Sequence, residues 1–445
     1  MTTLGIIGLL LGIAILIFVS YKGFSAVPVT MLAGAVICIL NGIGIWTGFS
    51  KYWAGGLAGV FSAYFILFFV SSIFANVMEE TGACTAIAYK FLDWFGKKHI
   101  MTVIVMLCFF MCYGGVSFFV VMFSVGPILE SLFKELNIPR KLIVTTTAAG
   151  SGAWVLAAPG STQLSNVIPT ALGTSLIAAP GLGFLMLGIG MILEILYCEW
   201  VYRKEMTAVL AGTAEGYVSP AGSIATLRAK NDVPGVFSAF LPTVVLLAII
   251  IIGSFAKITD NSTLLACIAM FVGLVLCYVC NIKHIKGGQV ETWKKCLSKG
   301  STGAAGSALA LGAIVGFGTI VSNTASFTNI VQWLTGLNIS VYWKGILSTS
   351  VIVGICGSAT SGAKLVMQYL GDYFKASGCN LDILHRLIAY ASITLDSLPH
   401  ATGCFLMFAY FGLNHKTCYK YVFWTDTAIP LVLVVIATAI CTVIF

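Results

Sequence analysis

The stretch Leu395-Asp396-Ser397-Leu398-Pro399-His400-Ala401 sets an aspartate, a proline and a histidine inside an otherwise apolar run. A second polar interruption, Ala157-Ala158-Pro159-Gly160-Ser161-Thr162-Gln163, lies in the first half of the chain. About 40 residues upstream of each stands a Gly-rich break: Tyr113-Gly114-Gly115-Val116-Ser117 and Gly357-Ser358-Ala359-Thr360-Ser361-Gly362. A bilayer offers no water to backbone N–H and C=O groups. Irregular backbone is therefore tolerated at that depth only where it is buried in protein or lines a cavity. Paired interruptions in the two halves of a membrane chain point to a binding site at the midplane.

The sequence around these breaks is that of a membrane protein. Of 445 residues, 59% are hydrophobic and 9% charged, with a mean hydropathy of +0.99. Soluble domains are usually about a quarter charged. Apolar runs near 20 residues predict helices, since barrel strands alternate over roughly 10 residues. The net charge of +8 comes from Lys and Arg collected in loops, with no compact basic domain for nucleic acid. The 14 cysteines are scattered, many in apolar runs such as Cys108 and Cys112, where the thiol acts as a small hydrophobe. Cys277-x-x-Cys280 with His284 supplies too few ligands for a metal site. No basic residue precedes the first apolar run and no small-residue cleavage site follows it, so no secretory leader is expected.

Spanning helices are predicted over about 3–20, 26–43 and 56–78, then an amphipathic interfacial helix over 83–98. Interrupted segments follow at about 100–136 and 141–178, and a helix at about 181–200 closes the first half. Residues 202–235 form a polar linker. The second half repeats the order: helices at about 236–254, 262–280 and 302–322, an amphipathic segment at 326–337, interrupted segments at 340–378 and 384–411, and a last helix at 427–445. Gly114 to Gly357 and Asn137 to Asn380 are both 243 apart, although residue identity at that offset is near chance. The fold expected is all-α and polytopic, with two inverted repeats. Each repeat has spanning helices, an interfacial helix, a re-entrant hairpin and a discontinuous helix. Placing both termini outside puts 18 of the 24 Lys and Arg inside.

At the breaks the chain resembles the GntP-type permeases, the gluconate:proton symporter family. The resemblance rests on the run 112–121, on Asn137-Ile138-Pro139-Arg140-Lys141-Leu142-Ile143, on Pro159-Gly160, and on the Leu-Asp-Ser-Leu-Pro-His form at 395–400. The last of these is closer to the hydroxybutyrate-type branch. The resemblance implies the ion-transporter superfamily, with hairpin first and broken helix second in each half. It further implies a homodimer whose transport domain moves like an elevator against a scaffold. The scaffold would be residues 1–98 and 236–338, the transport domain 99–201 and 339–445, and 202–235 the cytoplasmic linker.

Half-helices ending at the midplane expose unpaired N–H and C=O groups. Their N-terminal ends favour an anionic group. Gly114, Gly115, Gly160, Gly357 and Gly362 allow close backbone approach. Ser117, Ser161, Thr162, Gln163, Asn166, Ser358, Thr360, Ser361, Ser397 and Thr402 can hydrogen-bond a carboxylate or hydroxyl, or else serve helix packing. Asp396 and His400 are ionisable groups in an apolar layer and are expected to carry a coupling proton, with capping of a half-helix as the competing role. Lys364 is either a counter-charge to a substrate carboxylate or to Asp396, or a snorkelling side chain. Glu194 is expected at the inner interface and Asp426 at a helix boundary.

These readings predict a secondary active symporter for a small organic anion such as a hydroxycarboxylate, in the cell membrane. A proton is the expected coupling ion and sodium the alternative, with no cofactor or metal. A sodium-coupled carboxylate transporter of the same superfamily is the nearest competitor. No Gly-x-x-x-x-Gly-Lys-Ser/Thr loop is present for an ATP motor. The five histidines lie in separate segments without a His-Glu-x-x-His, which argues against an enzyme.

Overall fold

A computed structural model describes residues 2–97, 99–113, 118–160, 167–219, 230–256, 258–259, 261–286 and 288–444. Its regular elements are helical. The first half runs α1 (Thr2–Tyr21), α2 (Ala26–Leu40), α3 (Ile45–Thr81), α4 (Ala83–Phe95), α5 (Ile100–Tyr113), α6 (Phe118–Glu135), α7 (Lys141–Ser151), α8 (Ala153–Ala157), α9 (Ile168–Leu172) and α10 (Pro180–Leu210). The second half runs α11 (Val236–Phe255), α12 (Ser262–Asn281), α13 (Gln289–Ser322), α14 (Ala325–Gly336), α15 (Val341–Cys356), α16 (Ala359–Ala376), α17 (Leu381–Ala391), α18 (Thr402–Tyr410) and α19 (His415–Ile444). Among the described residues six helices are long and apolar enough to cross a membrane: α1, α3, α10, α12, α13 and α19. The chain is a multi-pass membrane protein.

Helix lengths recur between the halves. α6 and α16 have 18 residues each, α7 and α17 have 11 each, and the closing helices α10 and α19 have 31 and 30. Several helices outrun their apolar cores. α3 begins at Ile45 rather than near 56, through a π-helical turn at Gly48–Trp53. α13 begins at Gln289 rather than 302, and α19 at His415 rather than 427. α3 and α13 pack along their lengths because small residues let the backbones close up. A Cβ on Gly56 would lie 2.7 Å from Gly316 Cα, and one on Gly300 would lie 2.6 Å from Ile73.

Gly82, with φ +78°, ends α3 in a left-handed turn that launches α4. α4 then meets α5 at 115°. α1, α2, α3, α11, α12 and α13 pack among themselves. α5, α7 and α10 pack with one another, as do α15, α17 and α19. α3 also packs on α6 and α13 on α18, while α19 packs on α7 and α10.

Candidate functional site

The second break is a non-helical passage between Ala391 and Thr402, and the tip between α15 and α16 docks onto it. Gly357 at the tip has φ +61°, a left-handed conformation that suits glycine. Its carbonyl accepts from the Thr402 N–H at 3.0 Å and the Thr402 Oγ1–H at 3.1 Å. His400 is 1% exposed, and its Nε2–H donates to the Gly354 carbonyl at 2.6 Å. Its Nδ1 is buried without a partner. Asp396 Oδ1 accepts from the Ser397 hydroxyl at 3.1 Å, and the Ser397 carbonyl accepts from the Tyr419 hydroxyl at 3.1 Å.

The structure thus brings Gly357, Thr402, His400, Asp396 and Ser397 to one region. Ser358 caps α16, its Oγ accepting from the Ser361 N–H at 3.4 Å. Thr360, Ser361 and Gly362 lie within α16 rather than in a Gly-rich break, which spans only Gly357 and Ser358. Gly362 is buried against Val353. Lys364 sits on the exposed face of α16 with no carboxylate partner among the described residues, so it is not paired with Asp396. No hydrogen bond joins Asp396 to His400.

In the first half the helix breaks earlier than Pro159. Gly152 interrupts it between α7 and α8, and Ala158, Pro159 and Gly160 follow α8. Gly160 has φ +79°, and its N–H donates to the Leu176 carbonyl at 3.1 Å. The Tyr113 hydroxyl at the end of α5 donates to the Pro159 carbonyl at 3.0 Å, tying α5 to the break. Gly114, Gly115, Ser117, Ser161, Thr162, Gln163 and Asn166 lie outside the described residues.

Three charged side chains outside the expected site are buried. Glu194 is fully buried in α10, with neither carboxylate oxygen in good hydrogen-bond geometry. Trp154 lies beside it and Asp426 acts on it electrostatically. Asp426 is not at a helix boundary but in a π-helical turn inside α19, Trp424–Ala428, where it is 2% exposed. It accepts from the Thr425 hydroxyl at 2.6 Å and presses on the first break, its Oδ1 2.1 Å from where a Cβ on Gly152 would stand. Asp426 also acts electrostatically on Asp396. The third is Arg386, 2% exposed in α17. A titratable residue amid apolar neighbours was the available signal for Glu194. The pairing of halves that gives it a meaning was not visible.

A cavity of about 330 Å³ lies between α3, α6 and α18, lined by Asn76, Glu79, Glu130, Lys134, Arg140 and Tyr410, among others. A second, of about 560 Å³, shares Ser72, Asn76, Ala409 and Tyr410 with it and reaches Lys299. Tyr217, from the stretch that follows α10, lines the first cavity. The Tyr217 hydroxyl donates to Glu130 Oε2 at 2.8 Å, and the Tyr217 N–H to Asn137 Oδ1 at 2.9 Å. Arg140 pairs with Glu130 through two nitrogens and also donates to the Phe411 carbonyl at 2.6 Å. Burial, then the Glu130 carboxylate, pushes the Tyr217 phenol above its usual range, so it stays a donor.

The chain is a polytopic helical protein with helix breaks at Gly152 and between Ala391 and Thr402, and the proteins it resembles are transporters. Residues 1–163 match the model of the Na+/H+ antiporter family. The "uncharacterized transporter YxjC" of Bacillus subtilis (strain 168) is 27% identical, covering 93% of this chain and 94% of its own. These matches overturn the resemblance to GntP-type permeases: the family matched is a different one, and the relative's name carries no gluconate or hydroxybutyrate. The motifs that carried the resemblance are Gly, Pro and small polar residues at breaks. Any broken membrane helix needs these, so they report architecture rather than family.

Proposed function

We propose that the chain is a proton-coupled secondary transporter in which Asp396, Asp426 and Glu194 handle the coupling ion. The single observation that carries this reading is Glu194: fully buried, with neither oxygen in good hydrogen-bond geometry and a second carboxylate, Asp426 from the other half of the chain, acting on it electrostatically. A carboxylate so placed is stable only when a proton or a cation neutralises it. Exchange of that neutralising ion, coupled to movement of the breaks, is what an ion-coupled carrier requires. The match of residues 1–163 to the Na+/H+ antiporter family supports exchange of protons for sodium as the first reading.

His400 takes a different task from Asp396. Its Nε2–H is committed to the Gly354 carbonyl, and a second proton on Nδ1 would bury a charge with no partner. It pins the hairpin to the break, while Asp396, beside Ser397, exchanges the ion.

A second reading, symport of a small organic anion, is favoured by one observation. The N-termini of α16 and α18 meet at Gly357, and helix N-termini attract anions. Under either reading residues 99–201 and 339–445 form the moving body, 1–98 and 236–338 the scaffold, and 202–235 the linker. The halves form inverted repeats with both termini outside. The cavities between α3 and α6 and between α13 and α18 support a state open on the lysine-rich, cytoplasmic side.

The test is proton flux in proteoliposomes loaded with a pH-sensitive dye. A sodium gradient, or a gradient of hydroxy acids, is imposed, and the cargo is the one that moves protons. Asp396→Asn, Asp426→Asn and Glu194→Gln should each abolish the coupled flux, and His400→Gln should keep it. Full flux in all three carboxylate variants would refute the reading.

A further inference from the structure

The two breaks differ in what neutralises their backbone carbonyls. At the second, the carbonyls of Gly354, Gly357 and Ser397 accept from neutral donors: His400, Thr402 and Tyr419. At the first, three carbonyls converge on a full charge. Arg386 donates through NH1 to Ala157 O at 2.6 Å, through Nε to Ala178 O at 3.1 Å, and through NH2 to Ala178 O at 2.9 Å and Leu176 O at 3.4 Å. Among the described residues no carboxylate forms an ion pair with it. Ala157 is the last residue of α8, where carbonyls lose their helical partners and carry partial negative charge.

The surroundings are shaped to hold this guanidinium. A Cβ on Gly183 would lie 3.0 Å from Arg386 Nε and 2.4 Å from Pro159, so the glycine keeps the space open for both. On either side of Arg386 in sequence, α17 is fastened to the first half. His385 Nδ1 shares a 2.7 Å hydrogen bond with Thr174 Oγ1, and the Tyr390 hydroxyl donates to the Gly183 carbonyl at 2.7 Å.

We propose that Arg386 is a tethered cation, a positioning residue that fills at the first break the carbonyl cradle an alkali metal ion would otherwise occupy. Oxygen-only convergence is the chemistry that suits hard monovalent and divalent cations. A buried arginine compensated by carbonyls alone satisfies that cradle permanently. The first break then needs no ion from solution, and removal of the side chain creates a cation site. This does not depend on which ion or solute the protein carries.

The test uses the full-length protein purified in detergent, with wild type, Arg386→Ala, Arg386→Lys and Arg386→Gln compared by thermal unfolding. Each is measured at constant ionic strength in N-methyl-D-glucamine, sodium, lithium, potassium or methylguanidinium chloride. A ligand that binds only the folded state raises its apparent stability by mass action. Arg386→Ala should unfold at lower temperature in N-methyl-D-glucamine. One of the small cations should recover about 2 °C or more beyond its effect on wild type. Arg386→Lys should stay closer to wild type than Arg386→Gln. Two results overturn the proposal. One is an Arg386→Ala protein whose unfolding responds to every cation as wild type does. The other is Arg386→Gln matching or exceeding Arg386→Lys in stability, which would mean that hydrogen bonds rather than charge hold the break. That second comparison decides the matter even where Arg386→Ala does not fold.

Discussion

Gly152→Ala tests the contact on which the transport reading turns. A methyl at Gly152 would stand 2.1 Å from Asp426 Oδ1 and 2.6 Å from the Ala148 carbonyl, whereas ordinary contact begins near 3.4 Å. The Asp426 carboxylate must therefore retreat by about 1.3 Å, pulling on its bond from Thr425. The Ala148 oxygen cannot retreat as freely, because the Gly152 N–H donates to it at 2.7 Å. Overpacking of this kind costs about 1–3 kcal/mol, and a weakened backbone hydrogen bond adds about 1 kcal/mol. A destabilisation of about 2–4 kcal/mol is expected by thermal or denaturant unfolding of the purified protein. Ion-coupled proton flux should fall at least about tenfold, since a displacement near 1 Å is large for positioned reacting groups. Wild-type flux and wild-type stability together would show that Asp426 does not press on the first break, and the carboxylate account would fall with it.

Other substitutions separate the roles. Glu194→Gln preserves shape and removes only the exchangeable proton site, so unfolding should change by less than about 1 kcal/mol while coupled flux is lost; a strongly destabilised variant would argue that Glu194 is held charged by a partner. Gly357→Ala places a methyl 3.1 Å from Ala401 Cα in a left-handed turn; about 1–3 kcal/mol should be lost, and both stability and flux should drop, as read by unfolding and the liposome assay. Glu130→Ala leaves Arg140, only 8% exposed, without its carboxylate; a loss of about 3–5 kcal/mol is expected in unfolding, against about 1 kcal/mol for Tyr217→Phe. In limited proteolysis, Tyr217→Phe should speed cleavage in the linker, because its hold on Glu130 is gone.

Hydropathy read apolar helices better than the polar turns that extend them. α11 and α12 start where the apolar pattern put them, at Val236 and Ser262. α10 runs on to Leu210 through Arg203, Lys204 and Glu205, and α13 starts among Lys294, Lys295 and Lys299. Those turns are polar because they leave the hydrocarbon, yet they remain helical. A hydropathy window reports the solvent of a residue, not its backbone state. The break at Gly152 was missed for a related reason. Only the carboxylate of Asp426, arriving from the other half, makes a kink there useful.

The site followed the same rule. Asp396 and His400 were legible because charge and proline in an apolar run are locally expensive. Glu194 and Arg386 are equally conspicuous as letters, but groups that give them meaning lie in the opposite half of the chain: Asp426 for Glu194, and the carbonyls of Ala157, Leu176 and Ala178 for Arg386. Their placement makes the two breaks unequal. Arg386 supplies a fixed positive charge at the first, so its carbonyls have no call for a mobile ion. The second has no such guanidinium, only neutral donors and the carboxylate of Asp396. A carrier needs its ion to leave as well as to bind, and a charge on the chain cannot leave. On the proposed reading the exchangeable position at the breaks is the second, and Asp426, close to Gly152 and acting on Asp396, links the two.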